Sequence, residues 1–287
     1  MRKIGVYYAY WTTEWDVDFI PFISKVKKMG FDQLEINGGT LVNMTVYDKK
    51  RLKHEAEKNR IKLSYGIGLT PNNDVSSIDE RIRMNGINFM KKMILAVNEM
   101  EGEMIGGTVH SCWPATLPVN AVDKSFYLQQ SLKSMKELVK VAEDNNVILN
   151  VEVINRFEQF LLNTCSEAVN YVEEINSPYC GILLDTFHMN IEEDSIGDAI
   201  LTAGNHLKSM HIGETNRKPP GLGRMPWNEI KIALDKIGYQ GSIVMEPFVN
   251  PGGKVGRDIS VWRELMPGAN LDAELVKSLK FTRDVLL

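Results

Sequence analysis

The stretch CGILLDTFHMNIEEDS, residues 180–195, decides how the chain is read. Its first six residues, Cys180–Asp185, are small or apolar on both parities until the final carboxylate. That pattern belongs to a strand buried on both faces, as in a parallel sheet covered by helices. Asp185 and His188 then come off the strand end, and three more acids follow, Glu192, Glu193 and Asp194. Those three are expected to start the next helix, where negative charge meets the N-terminal dipole.

Seven further β-rich runs surround this one: Ile4–Tyr10, Phe31–Ile36, Ile61–Ile67, Glu103–His110, Val147–Val153, Leu207–Ile212 and Ser242–Phe248. Amphipathic helical patterns separate them. Val17–Met29 has Phe19, Ile23 and Val26 on one face and Gly30 as its stop. Asp48–Asn59, Asp79–Met100, Lys124–Asp144, Ser166–Ile175, Asp198–Ala203 and Pro226–Ile237 follow, and a last helix over Asp272–Val285 closes the chain. Eight strand–helix repeats predict an α/β fold, a single (β/α)₈ TIM barrel over residues 1–287 with an additional C-terminal helix. The length of 287 residues suits a barrel, which needs roughly 250. A doubly wound open sheet would bring a glycine-rich phosphate turn after its first strand. Here that strand runs into YAYWTTEW.

The net charge of −4, with both signs interspersed, argues against a nucleic-acid partner. Three cysteines (Cys112, Cys165 and Cys180) without a CxxC pair argue against a disulfide framework or a thiolate zinc site, and a reducing cytoplasm fits. The N-terminus lacks the apolar core of a signal peptide, and no apolar run is long enough to span a membrane.

Chemistry in a barrel sits at the C-terminal ends of its strands. Glu152, Asp185, His211 and Glu246 fall at or near the ends of the fifth to eighth strands, which are neighbours in a closed barrel. Any one alone usually reads as a rim residue. Four on successive strands, each inside an apolar run, are a stronger signal, because buried Asp and Glu are rare unless paired or metal-bound. Three carboxylates and one imidazole suit a hard or borderline divalent ion, Mn²⁺, Co²⁺ or Mg²⁺, better than structural zinc. Such an ion, chelated by a sugar carbonyl and the adjacent hydroxyl, would stabilise an enediolate. Glutamates on opposite faces of the carbon could remove its proton from one side and return it to the other, inverting that centre.

The segments VEVINRFE (Val151–Glu158), LLDTFHMNIEEDSIGDAI (Leu183–Ile200), HIGETNR (His211–Arg217), GRMPW (Gly223–Trp227) and MEPFV (Met245–Val249) resemble the ketose 3-epimerases. YYAYWTTEW near the N-terminus and the central IGGTVHSCWP extend the resemblance over nearly the whole chain. It implies a xylose-isomerase-like barrel with one divalent ion per subunit, usually Mn²⁺ or Co²⁺, held by Glu152, Asp185, His211 and Glu246. It further implies that Glu152 and Glu246 are the acid/base pair at C3 of a free ketose, acting on D-psicose/D-fructose and D-tagatose/D-sorbose. Glu158, His188 and Arg217 would meet O1 to O3 of the sugar, and Tyr7, Gly66, Gly107 and Trp113 would line the pocket. Family members are homodimers or homotetramers. From the residues alone, Arg217 reads as a surface loop charge, His188 as a rim histidine or a substrate contact, Tyr7 and Trp113 as core aromatics or as sugar-facing rings at strand ends, and Gly66 and Gly107 as packing glycines. The chain departs from the family pattern at EINGGT (Glu35–Thr40), where an Ala-rich turn is commoner, and at Cys112, where Tyr is common. Both departures bear on sugar preference.

Competing readings remain at this level. An aldose–ketose isomerase would use Glu192, Glu193 and Asp194 for a second metal. A multi-zinc phosphodiesterase would want more than the five histidines present. A non-catalytic sugar-binding module would need none of the four ligand candidates. Arg217, Lys218 and Arg224 around KPPGLGR look like a phosphate loop, or a turn before the next helix. The glycine-rich segment 250–257, with Val261 and Trp262, reads as an interface segment or a covering loop.

Overall fold

Burial on both faces explains the strand sequences. The structure is a computed structural model describing residues 2–287. Its strands are β1 (Ile4–Tyr7), β2 (Gln33–Asn37), β3 (Lys62–Gly68), β4 (Met104–Thr108), β5 (Ile148–Val153), β6 (Cys180–Asp185), β7 (Leu207–Ile212) and β8 (Ser242–Met245). They pair in chain order, all parallel, and β8 closes on β1 through Ile4↔Ile243 and Val6↔Met245. The result is the expected closed (β/α)₈ barrel. Side chains of one parity, such as Leu149, Val151, Ile182 and Leu184, are buried against the outer helices, while Asn150, Glu152 and Ser209 are buried toward the barrel interior.

The helices follow the apolar periodicity. Ile20–Met29 buries Ile23 and Val26 and ends on Gly30 at φ 93°, the left-handed C-terminal position that glycine tolerates without strain. Cys165–Ile175 begins with a capping box between Thr164 and Glu167. The last helix, Leu271–Leu286, is capped by Asn270, starts beside Tyr10 beyond the end of β1 and runs to the barrel's N-terminal end, where Arg2 donates to Leu286 O and Tyr239 O at 2.5 and 3.0 Å.

β2 and β3 run one residue past their expected ends, and three strands stop early. β1, β4 and β8 stop at Tyr7, Thr108 and Met245, earlier than the apolar runs that contain them. Beyond β1, Tyr8–Tyr10 forms a 3₁₀ turn whose side chains are as buried as those of a strand, so hydrophobicity does not mark the boundary. Glu246 is consequently the first residue past β8.

The acid cluster is also corrected. Thr186–Glu192 is a short helix that Glu192 ends rather than begins. Glu192 is drawn off by Arg156, whose guanidinium donates at 2.6 Å. Glu193 accepts from the Cys165 N–H at 2.7 Å, so it caps the start of Cys165–Ile175. The next helix, Ile196–Ala203, takes its cap from Ser195. Negative charge does meet a helix N-terminus here, but of an earlier helix in the chain.

Candidate active site

The C-terminal ends of β5 to β8 bring the four ligand candidates into two overlapping groups that share Glu152. One oxygen of Glu152, one of Glu246 and a nitrogen of His211 lie within 4.8 Å of one another, and so do ligand atoms of Glu152, Asp185 and His188. His211 Nδ1 is 3.4 Å from Glu246 and 3.8 Å from Glu152. Asp185 Oδ2 is buried without a hydrogen-bond partner. Two carboxylates beside the His211 imidazole, with Asp185 and His188 joined to them through Glu152, are a donor set that fits a divalent cation.

The residues expected around the sugar converge on the same place. Arg217 leaves the loop after β7 in a left-handed backbone conformation, φ 62°. Its guanidinium lies 3.3 Å from Glu246, 3.5 Å from Asp185 and 3.6 Å from Glu158. The Phe187 ring lies beneath it, 3.9 Å from centroid to guanidinium carbon. Arg217 is therefore buried in the pocket, and the surface-charge reading falls. His188 Nε2 lies 3.6 Å from Asp185 and 4.0 Å from Glu152. Trp113 Nε1 donates to Glu158 Oε2 at 3.0 Å. Tyr7, Gly66, Gly107 and Trp113 all line a cavity of about 550 Å³ that also holds Glu152, His211 and Glu246.

The two pocket glycines have backbone reasons as well. Gly107 has φ 118°, and a Cβ there would sit 2.0 Å from Ile67 O, so only glycine fits where β4 passes β3. At Gly66 a Cβ would come within 3.1 Å of Glu35 Oε1.

Residues 23–265 match the family described as the xylose isomerase-like TIM barrel. The chain is 45% identical over 287 residues to D-psicose 3-epimerase of Ruminiclostridium cellulolyticum, covering 99% of this chain and 98% of the relative. It is 41% identical to D-psicose 3-epimerase of Agrobacterium fabrum, covering 99% of each. Its fold superposes with a TM-score of 0.96 on D-psicose 3-epimerase from Clostridium cellulolyticum crystallised with D-tagatose, covering 99% of both chains.

The chain belongs to the ketose 3-epimerases.

As a ketose 3-epimerase it is an isomerase of small ketoses, and the electrostatics of its pocket can be read in that light. Burial pushes the Glu152 carboxyl well above the usual range; Glu246 and Asp185 add to this, and His211 and Arg217 oppose it. Burial disfavours the charged form of His211, but Glu35 and Glu246 outweigh it and raise the imidazole well above its ordinary value. Glu158 shows the same contest. Burial works against its charge, Arg217 and His188 win, and its pKa is lowered. Burial pushes His188 down to about 4, which keeps it neutral at pH 7.

Several pocket residues of this epimerase escaped the sequence reading. Asn155 donates to His188 Nδ1 at 2.7 Å and to Glu158 at 2.9 Å. Because an amide nitrogen only donates, His188 Nδ1 accepts and its proton sits on Nε2, facing Asp185 and Glu152. Phe187 and Phe248 flank Arg217. Glu35, a carboxylate inside the apolar β2, reaches His211 Nε2 at 2.8 Å. A charged residue in a strand buried on both sides was the visible signal for Glu35; Asn155 gave none. Segment 250–257 proves to be a covering element. The short helix Gly253–Asp258 buries Val255 and places Lys254 and Asp258 at the cavity mouth.

The loop around KPPGLGR is no phosphate cradle. Its amide donors already have an anion, because Glu214 accepts from Gly221 N, Met225 N and Trp227 Nε1 at 2.6, 3.0 and 2.9 Å. Cys112 is buried and its thiol is pushed up to about 12, as suits an inert side chain. Among the described residues no helix is long and apolar enough to cross a membrane.

Proposed function

We propose that this enzyme inverts C3 of free ketoses, interconverting D-psicose with D-fructose and D-tagatose with D-sorbose, by proton transfer between Glu152 and Glu246. The observation that carries this reading is the opposition of the two glutamates. They come from β5 and from just past β8, and their carboxylates meet around one imidazole inside one sugar-sized cavity.

One divalent ion, Mn²⁺ or Co²⁺ in preference to Mg²⁺, would be held by Glu152, Asp185, His211 and Glu246. Bound there, it supplies Lewis acidity that draws off the charge developing on the ketose oxygens. The protein's own groups do the rest. One glutamate takes the C3 proton and the other returns a proton to the opposite face of the planar cis-enediolate, which inverts the centre. Arg217 presents a fixed fork of N–H donors to the oxygens that gain charge. His188 Nε2–H donates beside it, with its direction set by Asn155. Glu158, held by Trp113 and Asn155, accepts from sugar hydroxyls. Relatives crystallised with D-tagatose and in the presence of D-fructose support the substrate class. The isomerase alternative has lost two of its three second-metal acids, since Glu192 is paired with Arg156 and Glu193 with a helix N-terminus.

The test is a ketose panel with Mn²⁺ or Co²⁺ against a chelator control, run in deuterated water. The expected result is metal-dependent interconversion with solvent deuterium appearing at C3. Exchange at C1, or an aldose product, would replace this reading with the isomerase one.

A further inference from the structure

A chain of buried polar side chains crosses the barrel interior beneath the pocket. Ser242 Oγ donates to Gln33 Oε1 at 2.8 Å. Gln33 Nε2 donates to Ser64 Oγ at 2.7 Å, and Ser64 Oγ donates to Glu35 Oε2 at 2.8 Å. The other Glu35 oxygen, Oε1, lies 2.8 Å from His211 Nε2, a short charge contact bent away from straight hydrogen-bond geometry. The chain links β8, β2, β3 and β7, and Gln33, Glu35, Ser64 and His211 are all buried. Nothing in the proton transfer described above uses it.

Counting protons gives the chain one direction. Ser64 has a single hydroxyl hydrogen. If the Gln33 amide were turned over, Ser64 would have to donate to Gln33, and its lone pairs would then face a Glu35 oxygen with no hydrogen between them. As it stands, every donor points toward the carboxylate. An ionised carboxylate only accepts, so the atom that meets it on the other side, His211 Nε2, must carry a proton. A ligating imidazole has one N–H, which leaves the Nδ1 lone pair facing Glu152 and Glu246. Gly66 belongs to the same arrangement, because a side chain there would press on Glu35 Oε1.

We propose that Glu35 is a positioning residue that holds the His211 proton on Nε2 and so presents Nδ1 as the metal-donor atom, with Ser64, Gln33 and Ser242 holding Glu35 in turn. This rests on the reading that His211 is a metal ligand. A carboxylate behind a ligating histidine fixes its ring and raises its donor strength, and losing such a partner costs roughly 10- to 100-fold in metal affinity.

The experiment is Mn²⁺ binding by calorimetry to the metal-free wild type, Glu35→Gln and Ser64→Ala, with ¹⁵N NMR of the histidines in protein loaded with diamagnetic Zn²⁺. No sugar is needed. Glu35→Gln should bind Mn²⁺ roughly 10- to 100-fold more weakly. Ser64→Ala, which removes only the next link, should weaken it by a smaller factor and keeps the test decisive if Glu35→Gln does not fold. In the loaded wild type the His211 proton should couple to Nε2 alone. A Ser64→Ala or Glu35→Gln affinity equal to wild type, or a proton found on Nδ1, overturns the proposal. A wild type that takes up no divalent ion overturns it together with the metal reading. A wild type that binds the ion as expected but does not epimerise ketoses overturns only the proposed function.

Discussion

Two buried acidic regions of this barrel solve the same problem in opposite ways. Glu214, in the loop after β7, is fully buried, and three N–H groups of its own loop satisfy it. At the ends of β5, β6 and β8, Glu152 lies beside both Glu246 and Asp185, and an Asp185 oxygen has no hydrogen-bond partner. Burying a carboxylate costs several kcal/mol unless hydrogen bonds or an opposite charge compensate. The fold itself compensates Glu214. In the pocket Arg217 and His211 compensate in part, and the Glu152 carboxylate joins two groups of donor atoms. An acid satisfied by its own loop holds a shape; acids left facing one another leave room for a cation and a substrate.

Breaking the pocket group should have the largest effect. Glu152→Gln and Glu246→Gln keep the size of each side chain and remove its proton chemistry, so each should lower turnover by about 10²- to 10⁴-fold while the protein stays folded and still binds ketose. Epimerisation rates beside sugar-binding isotherms check this. Either variant turning over at a near wild-type rate would refute the two-base mechanism.

The next test compares the two regions directly through stability. Glu214→Ala strips three donors of their acceptor, two of them buried, and should cost about 3 kcal/mol. Asp185→Asn relieves repulsion among acids and should leave the metal-free protein as stable as wild type or more so. Thermal unfolding of both, without metal, measures the contrast. Equal losses would mean that the pocket acids are structural after all.

Metal addition sharpens the same comparison. With Mn²⁺ at 100-fold over its dissociation constant, mass action should stabilise the wild type by about 2.7 kcal/mol. Glu214→Ala should keep that increment on its lowered base. Asp185→Asn, lacking a donor, should lose most of it. A shift in unfolding temperature that survives Asp185→Asn would remove Asp185 from the ligand set.

The sequence made the barrel legible because burial on both faces gives each strand an apolar run, and the sixth and seventh strands were bounded residue for residue. It misjudged the ends of the first, fourth and eighth because Tyr8, Tyr10 and Phe248 stay buried after strand pairing stops. The four ligand candidates were visible as charges at the ends of buried strands. Arg217 was not visible in that way, since nothing in a Gly/Pro-rich loop says that a left-handed turn will carry an arginine inward; only family resemblance pointed to it. Asn155 was hidden for a related reason. Its part depends on meeting His188 across the gap between the loop after β5 and the short helix after β6. The acids at 192 to 194 misled because local charge predicts a helix start, whereas Arg156 and the Cys165 amide, both distant in sequence, claimed Glu192 and Glu193.

A third kind of buried ionisable group bounds the comparison and carries the smallest effect. His110 is fully buried against the edge of Tyr171, and neither ring nitrogen has a partner. It is satisfied neither by its loop, as Glu214 is, nor by a facing charge. Burial alone pushes it down from 6.5 to about 3. Well above pH 6.5 the ring is neutral whether the chain is folded or unfolded, and it contributes no pH dependence. As the pH falls from 6.5 toward 3 the unfolded chain takes up a proton that the native protein refuses, so stability must decline. Between pH 7 and 5.5 this one group should remove about 1 kcal/mol. His110→Phe abolishes the titration, and whatever it does to packing is the same at both pH values. The difference in unfolding free energy between pH 7 and 5.5 should therefore be smaller in the variant by that amount. An unchanged difference would mean that the native protein protonates His110 readily, and that the site is not the dry, partnerless enclosure its surroundings describe.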